Sequence, residues 1–311
     1  MHSRVNPAIV LFAPTASGKS ALAMGLAQAL NGVVINMDSR QVYRHMPLLT
    51  ACPTAEEYAA APHVLYEVLE PTVISSAGAY VAAARQAAET AWANGQVPIF
   101  VGGTGLYADV LLHGLSPIPE IPAEIVKHWQ SRVEQEGAAV LHAELAKVDA
   151  PWAAQITVND SQRIARGLSV WQATGQRFSD WQQQPRAGGL AANMLPLAIH
   201  RPRAEILARL AQRFDHIYAH GLMAEVAALR EKNYALTLPA LTSLGLAELY
   251  QHLDGTLDKS AIREAFLTRQ RQYAKRQATW LRQTYPAQQV WEQPTPAEAL
   301  TFVQQWLDNH A

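Results

Sequence analysis

Ala8-Ile9-Val10-Leu11-Phe12 is an unbroken apolar run, and its brevity predicts a strand buried on both faces. Val33-Val34-Ile35-Asn36 predicts a second strand, entered through the turn pair Asn31-Gly32. Val64-Leu65-Tyr66-Glu67-Val68 is a third, with weaker patterning. Residues 77 to 94 are alanine-rich and predict a helix stopped by Asn94-Gly95. Val97-Pro98-Ile99-Phe100-Val101 predicts another buried strand, which Gly102-Gly103-Thr104-Gly105 turns into a helix. Apolar strands alternating with helices over residues 8 to 112 imply an α/β fold, a parallel sheet flanked by helices.

The pattern then changes. Ser116-Pro117-Ile118-Pro119-Glu120-Ile121-Pro122 is a proline-stiffened connector. Helical spacing predicts helices over 124–136, 138–148 and 162–174, and the polar stretch 182–189 breaks structure. Met194-Leu195-Pro196-Leu197-Ala198-Ile199 returns to strand character despite its proline. Long helices follow, then a short strand at Gln289-Val290-Trp291 and a final helix. The expected organisation is a core of residues 1–113 and 191–311, interrupted by an all-helical insertion at 114–190.

Composition narrows the class. The chain has 311 residues, 49% hydrophobic and 16% charged, enough for a large core. A formal net charge of -1 gives no global basic field, so nucleic-acid binding has to come from local patches. A single cysteine, Cys52, excludes a disulfide framework and a zinc cluster of cysteines. No secretory signal or membrane-spanning run is seen, and a cytoplasmic protein is expected.

Candidate chemistry begins directly after the first strand. Ala13-Pro14-Thr15-Ala16-Ser17-Gly18-Lys19-Ser20 is a phosphate-binding loop in all but its first residue, normally Gly. In the expected strand–loop–helix context, backbone N–H groups and Lys19 converge on an anion, so these eight positions form the diphosphate- or nucleotide-binding set. An alanine at 13 costs little if its φ is negative. The plain alternative is a tight turn bearing a surface lysine. Ligands of open α/β sheets lie beyond the carboxyl ends of the strands. Asp38-Ser39-Arg40-Gln41-Val42-Tyr43 and Gly102-Gly103-Thr104-Gly105-Leu106-Tyr107 fall there too. Asp38 suits a base or a metal partner, and equally a helix cap. The glycines suit a plain turn, or close backbone approach to a ligand.

These stretches, with Asn159-Asp160-Ser161-Gln162-Arg163 through Arg166 and Thr268-Arg269 through Gln272-Tyr273-Ala274-Lys275-Arg276-Gln277, resemble the tRNA dimethylallyltransferase (tRNA isopentenyltransferase) family, in its order and over nearly the whole length. The resemblance implies a P-loop NTPase-like sheet. It also implies transfer of a dimethylallyl group from dimethylallyl diphosphate to N6 of the adenine just 3′ of the anticodon of tRNA. The loop would then hold the donor's diphosphate, with Mg²⁺ on Ser20. Asp38 would be the general base on N6, Thr104 would lie in the channel where donor and base meet, and Arg213 would help to bind diphosphate. Asp38, Ser39, Arg40, Gln41 and Thr104 would contact the acceptor. Gln41 suits a bidentate contact with adenine.

A base inside a structured loop has to be extruded, so a surface must grip the RNA. Gln162, Arg163, Ile164, Ala165 and Arg166 are the expected stretch, with both arginines on one helical face. The run from Lys259 to Arg282 holds seven Lys/Arg and one Glu. At about 100° per residue, Arg269, Tyr273, Arg276 and Trp280 share one face while Arg271, Lys275 and Arg282 share the opposite one. Arg271 and Lys275 are taken as tRNA contacts, with solvated charge and core packing of Tyr273 and Trp280 as the plain alternatives.

The chain departs from the family at Ala13, at His45 (where Tyr-Arg-Gly is common), at Leu244-Gly245-Leu246-Ala247-Glu248 (where Ile-Gly-Tyr-Lys is usual) and in the connector 122–127. Other readings stay open on the residues alone. They are an adenylate isopentenyltransferase acting on free AMP, ADP or ATP, a small-metabolite kinase, and a non-catalytic RNA-binding paralogue. The protein is expected to act as a monomer, without a membrane partner.

Overall fold

The computed structural model describes residues 6–242, 245–292 and 294–310. Among them six strands form one sheet: β1 (Pro7–Phe12), β2 (Gly32–Asn36), β3 (His63–Val64), β4 (Val97–Gly102), β5 (Asn193–Ile199) and β6 (Gln289–Trp291). Their order is β3-β2-β4-β1-β5-β6, and every pairing is parallel. Ala8 through Phe12 are fully buried, as both-faced coverage of a parallel strand requires.

The first helices are α1 (Lys19–Ala29), α2 (Pro47–Thr50), α3 (Ala55–Ala60), α4 (Ala77–Ala93) and α5 (Gly105–His113). Next come α6 (Ala123–Glu136), α7 (Ala138–Val148), α8 (Ala150–Ala153), α9 (Ser161–Thr174) and α10 (Phe178–Gln183). The chain ends with α11 (Arg203–Ala219), α12 (Leu222–Glu231), α13 (Leu246–Leu253), α14 (Lys259–Gln283) and α15 (Pro296–His310).

Two expectations are refined. The third strand stops at Val64, because Leu65 (φ 65°) and Glu67 (φ 50°) adopt left-handed backbone that cannot continue a pleat. Pro196 is tolerated inside β5 because of the side it faces. Its carbonyl accepts from Gln288 N–H at 2.8 Å, so its missing N–H points to that same edge, just before β6 begins.

The chain forms two compact units, Met1–Leu112 with Leu190–Ala311, and His113–Gly189. In the first, Leu22 and Leu26 of α1 and Val303 and Trp306 of α15 pack with Ile9, Leu11, Ile99 and Leu197 of the sheet. A second core joins Phe214 of α11, Val226 of α12, Leu249 of α13 and Phe266 of α14 to Met46 and Leu49. The helical unit has its own core of Trp129, Val133, Leu141, Leu145, Ile164 and Leu168. Its buried Asp149 accepts from Trp152 N–H and from both the N–H and hydroxyl of Ser179, so both carboxyl oxygens find partners within the protein. Among the described residues no helix is long and apolar enough to cross a membrane.

Candidate functional site

Sheet order decides which loops meet. β2, β4 and β1 are neighbours, so the segments leaving their carboxyl ends lie side by side. Ala13 N–H donates to Gly102 O at 3.1 Å and Met37 N–H to Val101 O at 2.8 Å. The two glycines of the β4 turn are needed here for sterics within the protein. A Cβ at Gly102 would lie 2.0 Å from Met37 O, and one at Gly103 would lie 2.0 Å from Gln277 Nε2. What approaches so closely is therefore the protein itself.

The loop from Ala13 to Ser20 carries its backbone demand in an unexpected place. Ala13 is fully buried and is absent from the left-handed positions, so alanine fits there without strain. Ala16 (φ 61°) and Gly18 (φ 95°) make the sharp reversal instead. Pro14 O accepts from Ser17 N–H at 3.3 Å and from Lys19 Nζ at 3.4 Å. Thr15 and Ser17 are buried, and Ser20 is exposed at the start of α1. Desolvation lowers the Lys19 pKa to about 8, against a smaller upward pull from Asp38 and a downward push from Arg213.

α11 and the residues just before it bring further cations to this loop. Arg213 donates from Nη1 to Thr15 Oγ1 and from Nη2 to Leu49 O, both at 3.2 Å. Its buried Nε has no hydrogen-bond partner among the described residues, and desolvation lowers its pKa to about 10. Arg201 Nε donates to Ser17 O at 2.9 Å, and a Cβ on Gly18 would lie 3.5 Å from Arg209 Nη1. Glu225 of α12 acts on α2. Its carboxylate accepts from Leu48 and Leu49 N–H at 2.7 and 2.9 Å and holds the start of α2. Arg201, Arg209 and Glu225 were not expected as site residues. Arg209 had a legible signal, because it sits four residues before Arg213 on one helical face.

Asp38 is buried at the end of β2. Its N–H donates to Asn36 Oδ1 at 2.8 Å, and its own Oδ1 accepts from Arg40 N–H at 2.9 Å. Thr104 Oγ1 accepts from Ser39 N–H at 2.9 Å and donates to Ser39 Oγ at 3.2 Å, which locks the two loops together. The Arg40 guanidinium is bound to Pro239 O. Gln41 Nε2 donates to the carbonyls of Thr50 and Ala51, so its amide protons are committed within the protein. Tyr273 Oη is buried beside Thr104.

Two cavities open around these groups. One, of about 540 Å³, is lined by Lys19, Ser20, Gln41 and Arg209. The other, of about 370 Å³, is lined by Arg40, Arg269, Gln272, Tyr273 and Arg276. Thr15, Asp38, Thr50 and Arg213 line both. A carboxylate thus stands between a cationic chamber and a chamber walled by arginine, glutamine and tyrosine. Such an arrangement can hold a polyanion on one side and accept a proton at the junction. Among the described residues no cluster of three or more His, Cys, Asp or Glu could hold a metal alone. The hard oxygens of Ser20 and Asp38 on one cavity fit Mg²⁺, an ion that usually takes few protein ligands beside phosphate oxygens.

The RNA-directed expectations fare unequally. Arg271 is tied to Glu264 and Thr268 of its own helix, and neither it nor the exposed Lys275 reaches these cavities. Arg269, Tyr273 and Arg276 do so from the opposite face. Trp280 packs on Phe12, ring centroids 4.6 Å apart, beneath Gly105. In the helical unit Gln162, Arg163 and Arg166 are exposed, with Arg163 paired to Asp160 at 3.2 Å. Ile164 and Ala165 are corrections. Both are buried in the helical core, so their side chains cannot meet RNA. His45 has φ 71°, which accounts for the glycine expected there. Leu244 of the departing segment lies outside the described residues, while Gly245 (φ 74°) leads into α13.

The same fold occurs in known proteins. A family model described as IPP transferase matches residues 41–284. The tRNA dimethylallyltransferase of Rhodopseudomonas palustris is 44% identical over 301 residues, 96% of this chain and 93% of the relative. That of Nitratidesulfovibrio vulgaris is 40% identical over 302 residues, 97% of each chain. The crystal structure of a tRNA delta(2)-isopentenylpyrophosphate transferase from Staphylococcus epidermidis superposes with a TM-score of 0.68 at 29% identity, covering 98% of this chain and all of the other. Its P-loop NTPase-like α/β architecture is the one found here. With the family match spanning α2 to α14 and the relatives spanning nearly all of the chain, this protein belongs to the IPP transferase family, that of the tRNA dimethylallyltransferases.

Proposed function

We propose that the protein transfers a dimethylallyl group from dimethylallyl diphosphate to N6 of the adenine just 3′ of the anticodon of tRNA. One observation carries the reading: Asp38 lines both the Lys19 chamber and the Tyr273 chamber. The donor's diphosphate fits the first, beside the loop N–H groups, Lys19, Arg209 and Arg213. The flipped adenine fits the second. An allylic C–O bond breaks and leaves its electron pair on diphosphate, where these fixed cations stabilise the developing charge. The N6 lone pair forms the new C–N bond, and the N6 proton passes to the Asp38 carboxylate. Arg40 N–H holds one Asp38 oxygen, which orients the other. Arg213 Nε is a buried donor without a partner among the described residues, and a bound substrate would complete it. Bound Mg²⁺ would be held by Ser20 and the diphosphate and would add to the neutralisation of the leaving group.

The exposed Gln162, Arg163 and Arg166 of the helical unit would meet the phosphates of the anticodon stem-loop. We place the activity in the cytoplasm, with the protein acting as a monomer. The test is mass spectrometry of nucleosides from tRNA treated with the protein and dimethylallyl diphosphate, beside AMP as acceptor. Dimethylallyladenosine in the tRNA digest is expected. Transfer to AMP alone would replace this reading with an adenylate isopentenyltransferase, and stem-loop binding without transfer would replace it with a non-catalytic one.

A further inference from the structure

Gln277 joins two segments of the site that are remote from it in sequence. Its side chain is buried at 3% exposure. Oε1 accepts from Thr15 N–H at 2.8 Å, and Nε2 donates to Gly103 O at 2.8 Å. The first bond reaches the loop before Lys19, and the second reaches the turn that carries Thr104. The contact is tight enough to dictate residue 103, because a Cβ there would lie 2.0 Å from Nε2 and 2.9 Å from Ala13 O.

Each bond continues into the chemistry. The Thr15 hydroxyl accepts from Arg213, the cation shared by both chambers. Thr104, next to Gly103, receives Ser39 N–H and so fixes the residue after Asp38. One amide of α14 therefore sets the spacing between the cation side and the carboxylate side. Four residues earlier the same helix presents Tyr273 to the acceptor chamber. Where two reactants must meet in line, a shift of about 1 Å in such a frame can cost about a hundredfold in rate.

We infer that Gln277 is a positioning residue for group transfer, holding the Thr15–Arg213 and Gly103–Thr104 segments at the separation the reaction needs. The inference rests on the function proposed above. The amide is matched in polarity, with an acceptor toward Thr15 N–H and a donor toward Gly103 O. Gln277→Met keeps the length and loses both bonds. Gln277→Glu keeps the acceptor, but when ionised it sets a lone pair against Gly103 O. Once protonated, the introduced carboxyl reproduces both bonds.

The test uses the full-length protein with dimethylallyl diphosphate and an anticodon stem-loop, and titration with pyrophosphate. At about pH 8, Gln277→Glu is expected to lose at least about tenfold in kcat and to weaken pyrophosphate binding, with stem-loop KM nearly unchanged. Its kcat relative to wild type should recover as pH falls towards about 6, because protonation restores the donor. Gln277→Met should lose kcat at every pH, without recovery. Thermal unfolding identifies the folded fraction, to which kcat is normalised. Wild-type kcat and pyrophosphate affinity in folded Gln277→Met, or a loss in Gln277→Glu that does not change with pH, would overturn the inference. Wild-type protein that transfers no dimethylallyl group would instead overturn the proposed function, and the pyrophosphate titrations would still decide whether Gln277 sets the loop.

Discussion

Arg213 Nη1 donates to Thr15 Oγ1 at 3.2 Å, which fastens the middle of α11 to the loop that precedes Lys19. The same guanidinium reaches Leu49 O, and its remaining Nε is buried without a partner among the described residues. Arg213→Lys keeps a charge but cannot make this fork. Pyrophosphate affinity is expected to fall by about ten- to a hundredfold, the scale of a buried charged hydrogen bond. Calorimetric titration of pyrophosphate checks it, and unchanged affinity would remove Arg213 from the anion site.

Much of this site was legible in the sequence because its framework is local. The buried runs in β1, β2 and β4, each followed by Gly-rich or Asp-bearing segments, define three strand ends. In a parallel sheet those ends share one edge. Pairings across long separations were not legible. The Thr15–Gln277 bond spans 262 residues, and nothing near either residue signals it. The Glu225 carboxylate that fixes α2 acts across 177 residues to Leu48. The left-handed turn at Ala16 was hidden for another reason, since alanine carries no mark of positive φ. On α14 the helical faces were visible, but which face meets the site depends on packing, and Trp280 against Phe12 turns Tyr273 rather than Arg271 toward Asp38.

Lys19 makes pyrophosphate binding sensitive to pH. In the free protein burial lowers its pKa to about 8, so the ammonium is lost as pH climbs through that value. A bound anion favours the protonated form, and binding above about pH 8 must take up a proton. Affinity is expected to fall with rising pH in wild type relative to Lys19→Met, which cancels the titration of pyrophosphate itself. The opposite sign holds for stability of the free protein. Between about 8 and the unfolded value of 10.5 the unfolded chain keeps a proton that the folded one has shed, so this group's contribution to stability rises with pH. Calorimetry in two buffers of different ionisation enthalpy counts the protons, and zero uptake at alkaline pH would exclude Lys19 from the anion contact.

Two alanines in one loop should respond oppositely to glycine. Ala13 is fully buried and outside the left-handed region. Ala13→Gly removes a packed methyl and frees the unfolded chain, so it should destabilise by about 1–2 kcal/mol. Ala16 holds φ 61°, a conformation that costs a Cβ-bearing residue about 1–2 kcal/mol. Ala16→Gly should therefore be neutral or stabilising by up to about 1 kcal/mol. Urea unfolding of the two variants checks the contrast, and equal signs would refute the assignment of strain.

The exposed arginines of α9 are tested by salt. Arg163 is held by a surface pair with Asp160, and Arg166 is exposed on the same helix. Both are free to exchange such contacts for phosphate. Arg163→Ala with Arg166→Ala is expected to raise the stem-loop KM and to reduce the slope of log affinity against log salt by about 1–2. Transfer at saturating RNA should change little. An unaltered slope would mean that this face does not meet the RNA backbone.

Asp38→Asn separates binding from chemistry. The asparagine retains an oxygen for Arg40 N–H, which now binds Asp38 Oδ1 at 2.9 Å, so the loop geometry is preserved. What is lost is a carboxylate able to take the N6 proton as the C–N bond forms. General-base removal typically costs about a hundred- to ten-thousandfold in rate, and kcat is expected to fall within that range. Stem-loop affinity should stay close to wild type, because the arginines of the acceptor chamber are kept. The burial of Asp38 at the junction of the two chambers makes rescue by solvent base inefficient. Single-turnover transfer at saturating donor measures the chemical step directly, and a near-normal rate there would assign the proton to another group.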